Sequence, residues 1–123
     1  MDFQVEIEYW EDARGISPVA DFIGDLPAKH QAWIAKRDEF FESMTMRQLM
    51  QTQFFEKAKG QSSPLWELKY SGSGGKNYRM LCIICKHSLI GLVIFQGSGS
   101  GGKLNKFSQK AIERGADWRR RNP

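Results

Sequence analysis

The sequence predicts a single α+β domain over residues 1–123, with a mainly antiparallel sheet of about four strands. Three apolar runs rich in branched and aromatic residues lie between residues 65 and 95, joined by turn-rich basic segments. Helical apolar spacing occurs twice before this region and once after it, which adds two N-terminal helices and a C-terminal helix. The chain of 123 residues is long enough for one core and too short for a second domain.

The three runs are predicted as strands at residues 65–70, 78–85 and 89–95. The Gly, Ser and Lys residues between the first two are typical of a hairpin loop, and the simplest fold for all three strands is an antiparallel meander. Residues 3–10 alternate apolar and polar side chains and form the fourth predicted strand.

Ser17 and Pro18 offer a helix N-cap followed by proline in the first turn, and helical spacing continues to Leu26. The second helix is predicted from residue 27 to about residue 43. Residues 44–56 also have helical spacing but no clear cap, and 57–63 form a polar linker. The glycine-rich residues 97–103 are expected to be flexible.

The final helix is predicted to begin at Asn105 or Ser108 and to reach about Arg120. Gly115 weakens this helix by about 1 kcal/mol relative to alanine.

Charge is distributed unevenly along the chain. Residues 1–56 contain 11 acidic and 5 basic residues, a net −6, whereas residues 57–123 contain 3 acidic and 13 basic residues, a net +10. A basic half of this size predicts contact with a polyanion such as RNA. The sequence has no signal peptide or membrane-spanning run, so we expect a cytoplasmic protein with no membrane partner.

Strand alternation places Glu67 and Lys69 on the same face of the first hairpin strand. If the hairpin register brings Lys69 beside Arg79, two cations lie side by side on one face, with only Glu67 as a nearby acid. Such a pair destabilises a sheet and suggests a bound anion. The alternative is that each side chain reaches solvent from a strand end.

Other chemistries find little support in the sequence. Cys82 and Cys85 point to opposite faces of a strand and are expected to be buried apolar residues rather than a redox or zinc pair. His30 is expected to face solvent and His87 to lie in a turn, with no nucleophile or metal ligands beside either. The glycine-rich 97–103 segment resembles a phosphate-binding loop but lacks the terminal Ser or Thr and the parallel βαβ context.

The sequence resembles the phage-derived HigB branch of the RelE toxin superfamily over nearly its whole length. The matching segments, in order, are FxVEIEYWED, SPVADFIGDLP, LWELKY and GGKNYRMLCII. The resemblance implies a RelE-like fold and a ribosome-dependent mRNA interferase that is neutralised by a cognate antitoxin, expected to be a helix-turn-helix protein. It also implies functional cations at Lys69 and Arg79. The family's lysine cluster after the last strand is missing, and only Lys103 and Lys106 lie nearby.

Cleavage of RNA through its own 2′-hydroxyl needs a proton acceptor, cations at the phosphate and a proton donor for the leaving oxygen. Lys69, Arg79 and Lys103 are the candidate catalytic cations, and Glu67 or a lysine of depressed pKa is the candidate base. No metal and no other cofactor is expected. If Arg79 faces solvent or substrate, its loss should reduce activity far more than stability.

Further candidate RNA-binding residues are basic or aromatic and lie mostly in the second half of the chain: Lys57, Lys59, Lys76, Tyr78, Lys106, Arg119 and Arg120. Strand parity favours Tyr78 as a core aromatic over a stacking residue. The arginine run at the C-terminus can also stabilise the helix dipole. Because the loop after Phe95 departs from the family pattern, the alternative is a catalytically silent relative that binds RNA or an antitoxin.

Overall fold

In the computed structural model the chain is described over residues 3–58, 65–73, 76–97 and 101–123, with backbone only at 72, 73, 76 and 101–105. The predicted α+β class is confirmed. The elements in chain order are β1 (Glu6–Tyr9), α1 (Pro18–Gly24), α2 (Ala28–Glu42), α3 (Met46–Met50), β2 (Phe55–Lys57), β3 (Trp66–Ser73), β4 (Lys76–Cys85), β5 (Ser88–Gln96) and α4 (Gly101–Arg121). Among these helices, none has the length and apolar character needed to cross a membrane.

The sheet has five strands in the order β1-β5-β4-β3-β2. Strands β3, β4 and β5 form the predicted antiparallel meander. Strand β1 pairs with β5 in parallel, so the sheet is mixed. The prediction of about four strands was wrong because β2 pairs with β3 at the edge, where Phe55 lies opposite Leu68. A three-residue strand is too short to show alternation, and tertiary pairing and the burial of Phe55 define it.

The two predicted N-terminal helices are present. Ser17 caps α1, with its Oγ accepting a hydrogen bond from the Ala20 amide at 3.1 Å. The segment after α2, for which no cap was predicted, contains a further helix, α3. Its Thr45 and Gln48 form a reciprocal capping box. The spacing T-x-x-Q was the signal for this cap, so the conclusion that residues 44–56 lack one was wrong.

Helix α4 begins at Gly101, earlier than predicted, and includes the end of the glycine-rich segment. Gly115 is buried where α4 crosses the sheet, and a Cβ atom there would lie 3.3 Å from Leu92 Cδ1 and 3.5 Å from Ile83 Cγ2. Glycine lowers the intrinsic stability of this helix, but its lack of a side chain allows α4 to approach β4 and β5 closely.

Both faces of the sheet are covered. Helices α1, α2 and α3 pack on one face and α4 packs on the other. Cys82 belongs to the first layer and Cys85 to the second, and the two are free thiols on opposite faces as predicted; Cys82 is buried, whereas Cys85 is only partly buried. The largest fully buried side chains of the first layer are Ile34, Phe41, Leu49, Leu68, Tyr70, Tyr78, Met80 and Leu89, and those of the second include Leu65, Leu81, Ile83 and Phe95.

Candidate functional site

Lys69 and Arg79 lie directly opposite each other across β3 and β4, in the register that the hairpin prediction considered. Their side chains are about a quarter exposed, at 24% and 25%. Both line a cleft of about 350 Å³ at the end of the sheet. The other lining residues are mainly polar or aromatic: Gln53, Phe54, Tyr70, Ser71, Asn77 and Tyr78.

Each of the two cations is paired with a carboxylate. Arg79 Nη1 donates to Glu67 Oε1 at 2.5 Å, and Lys69 Nζ lies 2.8 Å from Glu56 Oε1. The expectation that Glu67 is the only nearby acid was wrong, because β2 brings Glu56 beside Glu67. The two pairs together carry no net formal charge, so repulsion between the cations does not by itself require a bound anion.

Glu67 is buried beneath this cleft. Its side chain is 3% exposed, and it is one of two buried polar residues in the described part of the chain. A buried carboxylate is costly unless it is paired, and Arg79 supplies the partner. Glu67 therefore positions Arg79 and is poorly placed to act as a base on substrate. Glu56, 40% exposed at its side chain, is the more accessible acid, and it was not predicted because it lies on the short strand β2.

Tyr78 is a buried core residue, as strand parity predicts, with 2% of its surface exposed. Its hydroxyl lies 2.8 Å from Nδ1 of His30 on α2, and the two rings meet edge to face. The expectation that His30 faces solvent was wrong, because this contact holds it half-buried against the sheet. His87 lies in the β4–β5 turn as predicted and stacks on Phe3.

Of the remaining lysine candidates, the structure describes the side chains of Lys106 and Lys57. Lys106 is exposed on α4 next to Phe107, whose ring stacks on Phe95, the β5 residue opposite Arg79. Lys57 lies in β2 opposite Trp66, whose side chain packs on the α1–α3 face. The side chains of Lys76 at the start of β4 and Lys103 in α4, and the whole of Lys59, lie outside the described residues.

Arg119 and Arg120 lie away from Lys69 and Arg79. Arg119 Nη2 donates to the carbonyl oxygen of Ile84, which is five residues along β4 from Arg79, or roughly 17 Å at 3.3 Å per residue. Arg120 pairs with Asp117 on its own helix. The structure does not bring these two arginines into the cleft.

Asp117 fixes the C-terminal end of α4 to the rest of the protein. Its carboxylate accepts a hydrogen bond from Trp10 Nε1 at 2.8 Å and pairs with Arg120 and Arg121. The hydrogen bond from Trp10, followed by those from the two arginines, lowers the pKa of Asp117 to about 2. The C-terminal arginine run therefore has a structural role here, in addition to its effect on the helix dipole.

The carboxylate of Asp38 on α2 contacts Tyr70, one of the residues that line the cleft. Tyr70 and Tyr9 donate to the Asp38 carboxylate at 2.6 Å and 3.4 Å. Burial raises the pKa of Asp38 to about 6, against the opposing effect of the tyrosine hydrogen bonds, and nearby Glu42 raises it further. Asp38 lies within the charged run of residues 36–39 on α2, but two tyrosines hold its carboxylate against the sheet.

Within the described residues, no three His, Cys, Asp or Glu side chains are grouped closely enough to hold a metal ion. The arrangement instead offers two opposed cations with one buried and one exposed carboxylate. No protein-family model matches the chain, and no curated protein or solved structure is significantly similar to it.

Proposed function

We propose that this protein is a RelE-like toxin of a type II toxin–antitoxin system that cleaves mRNA on the ribosome at the Lys69–Arg79 cleft. The observation that carries the proposal is that Lys69 and Arg79 lie directly opposite each other on neighbouring strands and both line an open polar cleft. The α+β class and the antiparallel meander followed by a C-terminal helix support the proposal, because the resemblance implies an α+β fold. The expected partners are mRNA and a cognate helix-turn-helix antitoxin.

In this mechanism Arg79 and Lys69 hold the scissile phosphate. A guanidinium has five N–H donors, so Arg79 can bind phosphate oxygens while Nη1 still contacts Glu67. The buried Glu67 carboxylate fixes the orientation of Arg79 before substrate arrives. A preorganised cation of this kind stabilises the negative charge that develops on the phosphorane.

Glu56 and Lys69 are the groups available for proton transfer. Glu56 accepts the proton of the 2′-hydroxyl as O2′ bonds to phosphorus, and Lys69 protonates the departing 5′-oxygen as its bond to phosphorus breaks. The products are a 2′,3′-cyclic phosphate and a free 5′-hydroxyl. Because the Lys69 and Glu56 side chains lie 2.8 Å apart, the proton on Glu56 can then return to Lys69.

A second candidate function is a catalytically silent relative that binds RNA or an antitoxin. Two observations favour it. Both cations of the cleft are already neutralised by carboxylates, and the lysine cluster expected after Phe95 is absent from the sequence.

The test is cleavage of a reporter mRNA on purified ribosomes. Because Arg79→Ala would leave Glu67 buried without a partner, the informative variant is the double substitution Glu67→Gln with Arg79→Gln, which keeps an amide pair. Loss of one preorganised electrostatic contact predicts cleavage slower by about a hundredfold or more. The control is Lys86→Asn at the far hairpin turn, where φ is 58° and asparagine is tolerated.

Two results would contradict the proposal in different ways. A folded parent protein that neither cleaves the reporter nor arrests translation when expressed would favour the silent relative. Parent-level cleavage by the double variant would show that the Lys69–Arg79 cleft is not the site.

A further inference from the structure

Arg37 on α2 lies within a group of four aromatic rings. Its Cζ atom is 4.4 Å from the centroid of the Phe54 ring and 4.9 Å from that of Phe40, with Phe41 and Trp33 at 5.2 and 5.6 Å. Contacts of this kind hold a guanidinium in place and partly offset the cost of removing it from water.

This guanidinium lacks a counter-ion in the part of the chain that the structure describes. Nε and Nη2 of Arg37 and the neighbouring Trp33 Nε1 are buried without an acceptor, and they make up three of the four such side-chain atoms among the described residues. A partly buried cation with unsatisfied donors is costly. An anion that reached it would recover part of that cost.

The aromatic group connects to the Lys69–Arg79 cleft through one shared ring. Phe54 lines the cleft beside Lys69 and also contacts Arg37. On the other side of Arg37, a groove of about 430 Å³ opens to the surface. Its lining includes Lys36 and Phe40, the latter 44% exposed, together with Glu39. Cations and rings therefore alternate from the cleft into the groove.

We propose that single-stranded RNA held in the Lys69–Arg79 cleft continues across Phe54 into this groove, where Phe40 stacks on a base and Arg37 and Lys36 hold a phosphate. Proteins bind single-stranded RNA through aromatic stacking combined with cations along the backbone. This inference rests on the proposed function and adds a second RNA contact next to the reacting phosphate. The three charged side chains of the groove, Lys36, Arg37 and Glu39, carry a net charge of only +1. Base stacking therefore supplies much of the affinity of the groove for RNA.

The experiment measures binding of a fluorescein-labelled uridine hexamer to the purified full chain by fluorescence anisotropy. Phe40→Ala should weaken binding by roughly tenfold or more because the exposed ring is lost. Arg37→Met should also reduce the slope of log affinity against log salt by about 1. The control is Lys110→Ala, which removes an exposed charge from α4 on the opposite face of the sheet and should bind like the parent.

The outcomes separate this inference from the proposed function. Phe40→Ala should raise KM for reporter cleavage and leave kcat unchanged, whereas the Glu67→Gln, Arg79→Gln double variant should lower kcat. If the parent cleaves RNA and Phe40→Ala and Arg37→Met bind the hexamer as the parent does, the groove is not an RNA site and the proposed function stands. If the parent cleaves the reporter mRNA on ribosomes but does not bind the hexamer, the groove inference is wrong and the proposed function stands. If the parent neither binds the hexamer nor cleaves the reporter, both proposals are wrong. In that case, binding of a polyglutamate peptide that Arg37→Met abolishes would assign the groove to an acidic protein partner.

Discussion

Removal of Arg79 should destabilise the protein strongly, contrary to the expectation for a solvent-facing arginine. The variant Arg79→Ala leaves the Glu67 carboxylate, whose side chain is 3% exposed, without its partner. Breaking a buried pair from one side costs about 3–5 kcal/mol. In a domain of 123 residues this corresponds to a fall in Tm on the order of 10–20 °C.

The neighbouring Lys69–Glu56 pair provides a matched comparison. Its side chains are 24% and 40% exposed, so Lys69→Ala should cost about 1 kcal/mol or less. Urea unfolding followed by fluorescence of the four tryptophans measures both variants. A double-mutant cycle of Glu67→Gln and Arg79→Gln should give a coupling energy above about 1 kcal/mol, with the double variant more stable than the sum of the single effects predicts.

Two results would refute this reasoning. Additive effects in the cycle would show that Glu67 and Arg79 do not depend on each other for stability. Equal and small losses for Arg79→Ala and Lys69→Ala would show that burial of Glu67 does not determine the cost.

Two further predictions concern Asp38 and a pair of glycines. The pKa of Asp38 is raised from 3.8 to about 6 in the folded protein. Between these two pH values the native state therefore binds more protons than the unfolded state. The free energy of unfolding should fall by at most about 3 kcal/mol as pH rises from about 4 to 6. Asp38→Asn should flatten that profile in urea unfolding at pH 4, 5, 6 and 7, and an unchanged slope would exclude Asp38 as its source. Gly24→Ala, where an added Cβ meets nothing within 4 Å, should raise the free energy of unfolding by about 0.5–1 kcal/mol. Gly115→Val should lower it by about 1–3 kcal/mol because α4 must move off the sheet, and the opposite order of these glycine variants in thermal melts would contradict the packing described for α4.

Much of the fold follows from local sequence patterns. The meander strands are apolar runs rich in branched and aromatic residues, the Ser17-capped helix and α2 have apolar residues at helical spacing, and the structure has these elements close to the predicted residues. Two short elements were missed. Residues 44–56 have helical spacing, but α3 was not predicted because its Thr45 and Gln48 cap was not recognised, and β2 depends on pairing with β3. The parallel pairing of β1 with β5 joins strands far apart in sequence, which local patterns cannot specify.

The candidate site was predicted only in part. Strand parity placed Lys69 and Arg79 on one face, and the hairpin register then brought them together. Glu67 was expected near the two cations, but its burial and its pairing with Arg79 were not expected, and Glu56 lies on the strand β2 that was not predicted. The contact between Arg37 and Phe54 could not be predicted from the sequence either, because only the tertiary fold brings Phe54 to α2.

The two oppositely charged halves of the chain contact each other in the folded protein, and this affects where an RNA-binding site is expected. Glu56, from the acidic half, neutralises Lys69, whereas Asp117, which pairs with Arg120 and Arg121, belongs to the basic half and is already counted in its net charge. Part of the +10 of residues 57–123 is therefore satisfied within the protein and does not form a general polyanion surface. A phosphate can compete best where a cation is held by rings or by one carboxylate that it need not displace. That condition is met at Arg79 and, unexpectedly, at Arg37 in the acidic half of the sequence.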